Sequence, residues 1–208
     1  MIIGICGGSG SGKTTLLKQL SEKFVDLNPS IFSMDNYYNP IDEQSLDENG
    51  IVNFDLPSAL NENKLTADLQ RLKSGEAIVV EEYHFNSPPD LKTYITIQPS
   101  KLIIVEGLFL FHYKKVFEAL DFSVFVSVDA PTQLNRRIIR DEISRGYKRE
   151  EIIYQWEKHV LPCYENYLLP YESVADFRFR NDENAISDFR ALTEEINRYL
   201  SMTNVREC

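Results

Sequence analysis

The 208-residue chain is poor in positive charge: 22 lysines and arginines stand against 32 aspartates and glutamates, a formal net charge of -10. A nucleic-acid partner is disfavoured, because its phosphate backbone would be repelled overall. Cysteine is scarce as well. Cys6, Cys163 and Cys208 show no CxxC or other ligand spacing and read as reduced thiols. His84 and His159 have no metal-ligand partner at suitable spacing, so both are expected to be structural or exposed. No basic stretch with an apolar core opens the sequence, and no apolar run approaches the roughly twenty residues needed to span a bilayer. The expectation is a cytoplasmic protein with no membrane partner. Repeats, linkers and low-complexity segments are absent too. With 43% hydrophobic residues, the chain can build one α/β domain over residues 1–208.

What is present begins at the first residues. The apolar run Met1 to Cys6 leads into Gly7-Gly8-Ser9-Gly10-Ser11-Gly12-Lys13-Thr14, which fills the pattern G-x-x-x-x-G-K-[ST]. A phosphate is strongly solvated in water, so a protein site must replace that solvation with several inward-pointing backbone N–H groups. Four glycines permit the curl. Lys13 can reach the β and γ phosphates of a nucleotide, and the Thr14 hydroxyl is placed to ligate Mg²⁺. Leu16, Leu17, Leu20 and Phe24 recur at helical spacing, so the loop opens into a helix whose N-terminal dipole faces the anion. Gly7, Gly8, Ser9, Gly10, Ser11, Gly12, Lys13, Thr14 and Thr15 form the expected nucleotide-binding set.

Further strands are expected at Ser30 to Met34, Ala77 to Tyr83, Lys101 to Val105, Phe122 to Val128 and Ala175 to Phe179, with a small β-hairpin around Thr93 to Ile97. Helices are expected from Pro57 to about Lys73, Phe109 to Ala119, Gln133 to Arg145, Arg149 to Leu168, and along Ile186 to Leu200. This alternation predicts a parallel, doubly wound sheet flanked by helices, the P-loop NTPase arrangement. Asn36 to Leu56 reads as a long loop over the site.

Asp35 and Glu106 both end strands, and in such sheets ligands gather at that edge. Phosphoryl transfer requires a phosphate cradle, a metal, a positioned nucleophile and cations around the migrating group. Glu106 can hold the water shell of a metal bound by Thr14, and Asp35 can accept a proton from a substrate hydroxyl. Arg137, Arg140 and Arg145 can neutralise charge on the transferred group, or else form a solvated helix face paired with Asp141 and Glu142. Arg136 is expected to be surface only.

Together with Asp35-Asn36-Tyr37-Tyr38, Asn53-Phe54-Asp55, Val105-Glu106-Gly107, Arg136-Arg137-Ile138-Ile139-Arg140-Asp141 and Gln155, the loop resembles that of the uridine/cytidine kinases among the phosphoribulokinase-like P-loop kinases. The likeness covers nearly the whole chain. It implies ATP- or GTP-dependent phosphorylation of a pyrimidine ribonucleoside 5′-hydroxyl, with Mg²⁺ near Glu106 and Asp35 as the base. It places Tyr38, Phe54, Asp55, Tyr83 and Gln155 in the nucleoside pocket, Arg137 and Arg140 on the phosphate and substrate, and Arg145 in a lid over about 136–150. It also implies a homo-oligomer, commonly a homotetramer. One departure stands out: the family's Tyr-x-Phe-x-x-His segment reads Tyr83-His84-Phe85-Asn86-Ser87-Pro88 here, and Pro88 has no side-chain donor with which to read a base. The alternatives are a kinase of the same superfamily for a sugar phosphate or a pantothenate-like acid, and a nucleotide-dependent switch with no small-molecule acceptor.

Overall fold

Strand β1, Ile2–Gly7, is buried along its whole length, and the other strands of the main sheet are arranged about it. A computed structural model describes residues 1–84 and 92–204. In chain order the later strands are β2 (Ser30–Ser33), β3 (Ile78–Glu81), β4 (Tyr94–Ile97), β5 (Ile103–Glu106), β6 (Phe122–Ser127) and β7 (Phe177–Arg180). Five of the seven form a parallel sheet in the order β2-β5-β1-β6-β7, with Ile2 opposite Ile103 and Ile3 opposite Phe122.

Both faces of this sheet are covered, which is why β1, β5 and β6 read as almost unbroken apolar runs. On one face Leu16 and Leu20 of helix α1 (Lys13–Lys23) join Ile3, Ile5 and Val124, as do Leu192 and Ile196 of the C-terminal helix, Ala185–Asn204. On the other, Leu65, Leu69 and Leu72 of α2 (Glu62–Lys73) pack with Ile2, Phe32 and Val105. The strands therefore deliver their C-terminal residues to one edge: the glycine-rich loop after β1, Asp35 just after β2 and Glu106 at the end of β5. The expected doubly wound parallel sheet is the observed one.

Several local expectations shift. Pro57 opens only a 3₁₀ turn, Pro57–Ala59; the helix starts after Asn61, whose side chain accepts the Lys64 N–H at 3.0 Å and caps α2. Within Phe109 to Ala119 only Lys114–Phe117 (α3) is helical. Phe109, Leu110 and Phe111 are all buried in succession, which no single helix face allows. The segment expected as a strand over Ala77 to Tyr83 stays out of the main sheet and forms an antiparallel pair with β4, Ile78 facing Ile97.

Helix α4 (Ala130–Arg145) starts three residues ahead of the expected Gln133, because the Asp129 side chain accepts the Thr132 N–H at 2.8 Å and caps it there, and Gly146 ends it at a φ of 70°. The helical run that follows is α5 (Arg149–Gln155), a π turn Trp156–Val160, α6 (Leu161–Cys163) and a second π turn Tyr164–Leu168, ahead of α7 (Ala185–Asn204). Pro162 has no N–H to donate to Lys158, and the first wide turn adjoins it. Among the described residues, no helix is long and apolar enough to cross a membrane.

Candidate active site

The loop after β1 owes its shape to its glycines. Gly10 sits at a φ of 78°, and a Cβ there would lie 2.6 Å from the Gln133 carbonyl oxygen. Gly12 has a φ of 101°, and its added Cβ would meet Asn181 Nδ2. Gly12 is also the N-cap of α1, where no side chain caps the helix, so the first N–H groups of α1 are left for an anion. Lys13 Nζ donates to the Gly8 carbonyl at 3.1 Å and so lies back across the loop.

A cavity of about 370 Å³ opens in front of this loop. Its walls bring together nearly every residue singled out from the sequence: Ser9, Gly10, Gly12, Lys13, Thr14 and Thr15 from the loop and helix; Asp35 and Glu106 from the sheet edge; Tyr38, Phe54, Asp55 and Tyr83; and Arg137, Arg140, Arg145 and Gln155. Gly7, Gly8 and Ser11 lie behind that surface. Ser11 is fully buried, and its hydroxyl is unpartnered among the described residues. Phe85, Asn86 and Pro88, with the base-reading expectation attached to them, fall outside the described residues.

Glu106 is 5% exposed, and its carboxylate accepts hydrogen bonds from the hydroxyls of Ser33, at 3.1 Å, and Thr14. Burial pushes its carboxyl up to about 7, with the charge of Asp35 adding to the rise and Lys13 opposing it. Asp35 is raised too, by burial, while Lys13, Arg145 and Arg140 pull it back. A buried and a half-buried carboxyl beside a threonine hydroxyl make an all-oxygen donor set, hard in character, that fits Mg²⁺. Among the described residues there is no group of three or more His, Cys, Asp or Glu side chains able to hold a metal unaided. Mg²⁺ is commonly held by one or two carboxylates together with water and substrate phosphates.

The arginines of α4 converge on one residue. Asp141 is fully buried; it accepts a fork from Arg140, Nε to Oδ1 at 2.7 Å and Nη2 to Oδ2 at 3.2 Å. Arg137 Nε lies 3.3 Å from Oδ2, an ion pair outside hydrogen-bond geometry, and Arg145 Nε lies 3.3 Å from Oδ1. Arg137 spends its remaining donors across the cavity, on Ser9 Oγ at 3.1 Å and Gln155 Oε1 at 2.9 Å. Arg137 is thus no part of a solvated face, at only 7% exposed, whereas Arg140 and Arg145 are partly exposed. Burial and the neighbouring Arg140 lower the pKa of Arg145, with Asp141 opposing them.

One expectation is corrected here. Arg136 is not merely on the surface: it donates to the carbonyls of Gly10 and Ser11 at 3.4 Å and of Asn181 at 3.2 Å, and Asn181 Nδ2 itself donates to Ser11 at 2.6 Å. Together they brace the glycine-rich loop, and Arg136 also lines the cavity. His159 is buried as a structural histidine would be, yet it lines the cavity. Asp141 had a legible signal, arginines at i−4, i−1 and i+4, whereas the partner of His159, Asp47, is 112 residues away and gave none.

The aromatic wall is continuous. Tyr38 stands edge-on to Phe54 with ring centroids 5.8 Å apart and tilted against Tyr83 at 5.2 Å. Burial raises Asp55, whose carboxyl is drawn down by Arg137 and His159. One cavity thus joins the glycine-rich loop, the carboxyls of Asp35, Asp55 and Glu106, the guanidinium groups of α4 and a cluster of three aromatic rings.

Comparison with known proteins follows this geometry. The family profile described as "Phosphoribulokinase / Uridine kinase family" matches residues 2–186. Uridine-cytidine kinase B of Dictyostelium discoideum is 33% identical over 84% of this chain and 72% of its own length. The uridine kinase of Chlamydia pneumoniae is 35% identical over 85% of this chain and 79% of its own. Against uridine kinase-like protein 3 of Arabidopsis thaliana, 32% identical, the match spans only 38% of that protein's length. Among solved structures, phosphoribulokinase from Rhodobacter spheroides superposes with a TM-score of 0.65 at 17% identity, over 86% of this chain and 69% of that one; this is a likeness of fold.

Proposed function

The chain belongs to the phosphoribulokinase and uridine kinase family, and from that premise we propose that it transfers the γ-phosphate of ATP or GTP to the 5′-hydroxyl of a pyrimidine ribonucleoside, giving UMP or CMP. One observation carries the reading: the phosphate loop, Asp35, the α4 arginines and the Tyr38, Phe54, Asp55, Gln155 wall share a single cavity.

In this reading the α1 N-terminus and Lys13 hold the donor's phosphates. Asp35 orients the acceptor hydroxyl and takes its proton as the new O–P bond forms and the β–γ bridge breaks. Arg137 and Arg140 neutralise the charge spreading over the transferred group, each already aimed by Asp141. Thr14 and Glu106 would hold Mg²⁺, which when bound supplies charge neutralisation and orientation of the phosphates. Asp55 and Gln155 bind the ribose hydroxyls, and Phe54 and Tyr38 stack the base. Closure of the segment over about 136–150, with Arg145, excludes water so that the phosphate reaches the sugar. We place the reaction in the cytoplasm, as the scarce, unpaired cysteines suggest, and in a homo-oligomer, as the family resemblance implies.

The test is transfer from γ-labelled ATP with Mg²⁺ to a panel of uridine, cytidine, adenosine, guanosine, pantothenate and ribulose 5-phosphate. Labelled UMP or CMP is the expected product. Label appearing only in another acceptor, or only as free phosphate, would overturn the reading.

A further inference from the structure

His159, on the π turn Trp156–Val160, is 3% exposed and lines the same cavity as Asp55 and Gln155. Its Nε2 lies 2.8 Å from Asp47 Oδ2. That carboxylate is held from every side: Oδ1 accepts the N–H groups of Asn49 at 2.8 Å and Ile51 at 2.9 Å, and Oδ2 also accepts the Tyr154 hydroxyl at 2.7 Å. A carboxylate so filled with donors acts as acceptor only, so His159 Nε2 is the donor of the pair and the ring's orientation is fixed. Nδ1 then carries a lone pair in the neutral ring and an N–H in the charged one. With Nε2 engaged, Nδ1 is the ring nitrogen left to meet a ligand in the cavity.

The surroundings indicate which part of a ligand it meets. Gln155 is four residues earlier on the same helical run, and His159 lies within electrostatic reach of Asp55. Those are the two hydroxyl-binding side chains, while the rings of Tyr38, Phe54 and Tyr83 cluster with one another. A hydroxyl both donates and accepts, so it pairs with Nδ1 in either form of the ring. We propose that His159, oriented by Asp47, is a specificity-determining residue that forms a hydrogen bond with a ribose hydroxyl of the bound nucleoside, making loop residue Asp47 part of the sugar site. The inference rests on the nucleoside-kinase reading above.

The experiment compares wild type with His159→Phe, which keeps a ring for packing and removes both nitrogens, on uridine, 2′-deoxyuridine and 3′-deoxyuridine. The KM for uridine is expected to rise about tenfold, with kcat and the KM for ATP within about twofold, as suits one lost hydrogen bond to an uncharged group. The wild-type penalty for one of the two deoxy analogues should shrink to about twofold in the variant, because the missing hydroxyl has no partner left to lose. If His159→Phe does not fold, His159→Asn, which keeps a polar group and shortens the reach, is read the same way. Deoxy penalties equal in wild type and variant would overturn the role of His159 alone and leave it as a tie between loop and helix. A wild-type protein that phosphorylates no nucleoside would overturn the underlying reading as well.

Discussion

At the sheet edge, Lys13, Thr14, Asp35 and Glu106 each stand at or a few residues beyond the end of a parallel strand, and backbone pairing places them. Across the cavity, Arg137, Arg140, Arg145, Gln155 and His159 stand on helices, and side-chain bonds to Asp141 and Asp47 place them. The first half is rigid because its strands are buried in register on both faces. The second is held by ion pairs and hydrogen bonds between side chains. Backbone pairing sets the position of one wall and side-chain pairing that of the other.

Substitutions in the two halves should therefore fail differently. The largest effect is expected for Asp35→Asn at the sheet edge: turnover should fall by about 10²–10⁴ with an unchanged circular dichroism spectrum, since a positioned base contributes on that scale. Near-normal transfer would show that Asp35 is not the base.

In the other half, Asp141→Asn should lower stability as well as turnover. Removing one partner of a buried ion cluster costs about 3–5 kcal/mol, so urea unfolding should show a lower midpoint. An unchanged midpoint would mean that the three guanidinium groups do not depend on that charge.

Arg136→Ala tests whether the loop is shaped by its own glycines alone or also by the brace. Losing contacts at 3.2–3.4 Å should raise the KM for ATP about tenfold, in line with one or two hydrogen bonds from a charged donor, and leave the KM for uridine unchanged. A rise in both would argue against a local brace.

The smallest effect is expected for Asp47→Asn, and it depends on pH. Partial burial pushes the Asp47 carboxyl up, but hydrogen bonds from Ile51, Tyr154, His159 and Asn49 outweigh it and hold it well below its ordinary 3.8. A group lowered in the fold contributes stability above its unfolded value and loses it as the pH falls through the folded one. The gap in Tm between wild type and Asp47→Asn should thus be full at pH 7 and narrow below about pH 4. A gap independent of pH would mean that the charge of Asp47 does not stabilise the loop.

The same division explains what could be read in advance. The glycine-rich loop, Asp35 at the end of β2 and Glu106 at the end of β5 follow from local patterns, because strand periodicity and strand ends are properties of a few consecutive residues. Helix limits were less legible where burial ran all round, as at Phe109 to Phe111, or where a cap such as Asn61 overrode the proline before it. The arginines of α4 were visible, but their environment was not: three guanidinium groups around one buried carboxylate depend on the packing of α4 against α5 and the loop.

By itself, then, the sequence determined the phosphate loop, the parallel sheet and the acids at its edge, since short-range sterics and the alternation of apolar runs with amphipathic segments suffice for those. Tertiary structure alone decided that Arg136 and Asn181 brace the loop, that Arg137 reaches Ser9 and Gln155 across the cavity, and that Asp47 turns His159 into the cavity wall. Each of these is a polar contact in a buried place, often between residues far apart in the chain, and such contacts exist only once the surrounding core has excluded water.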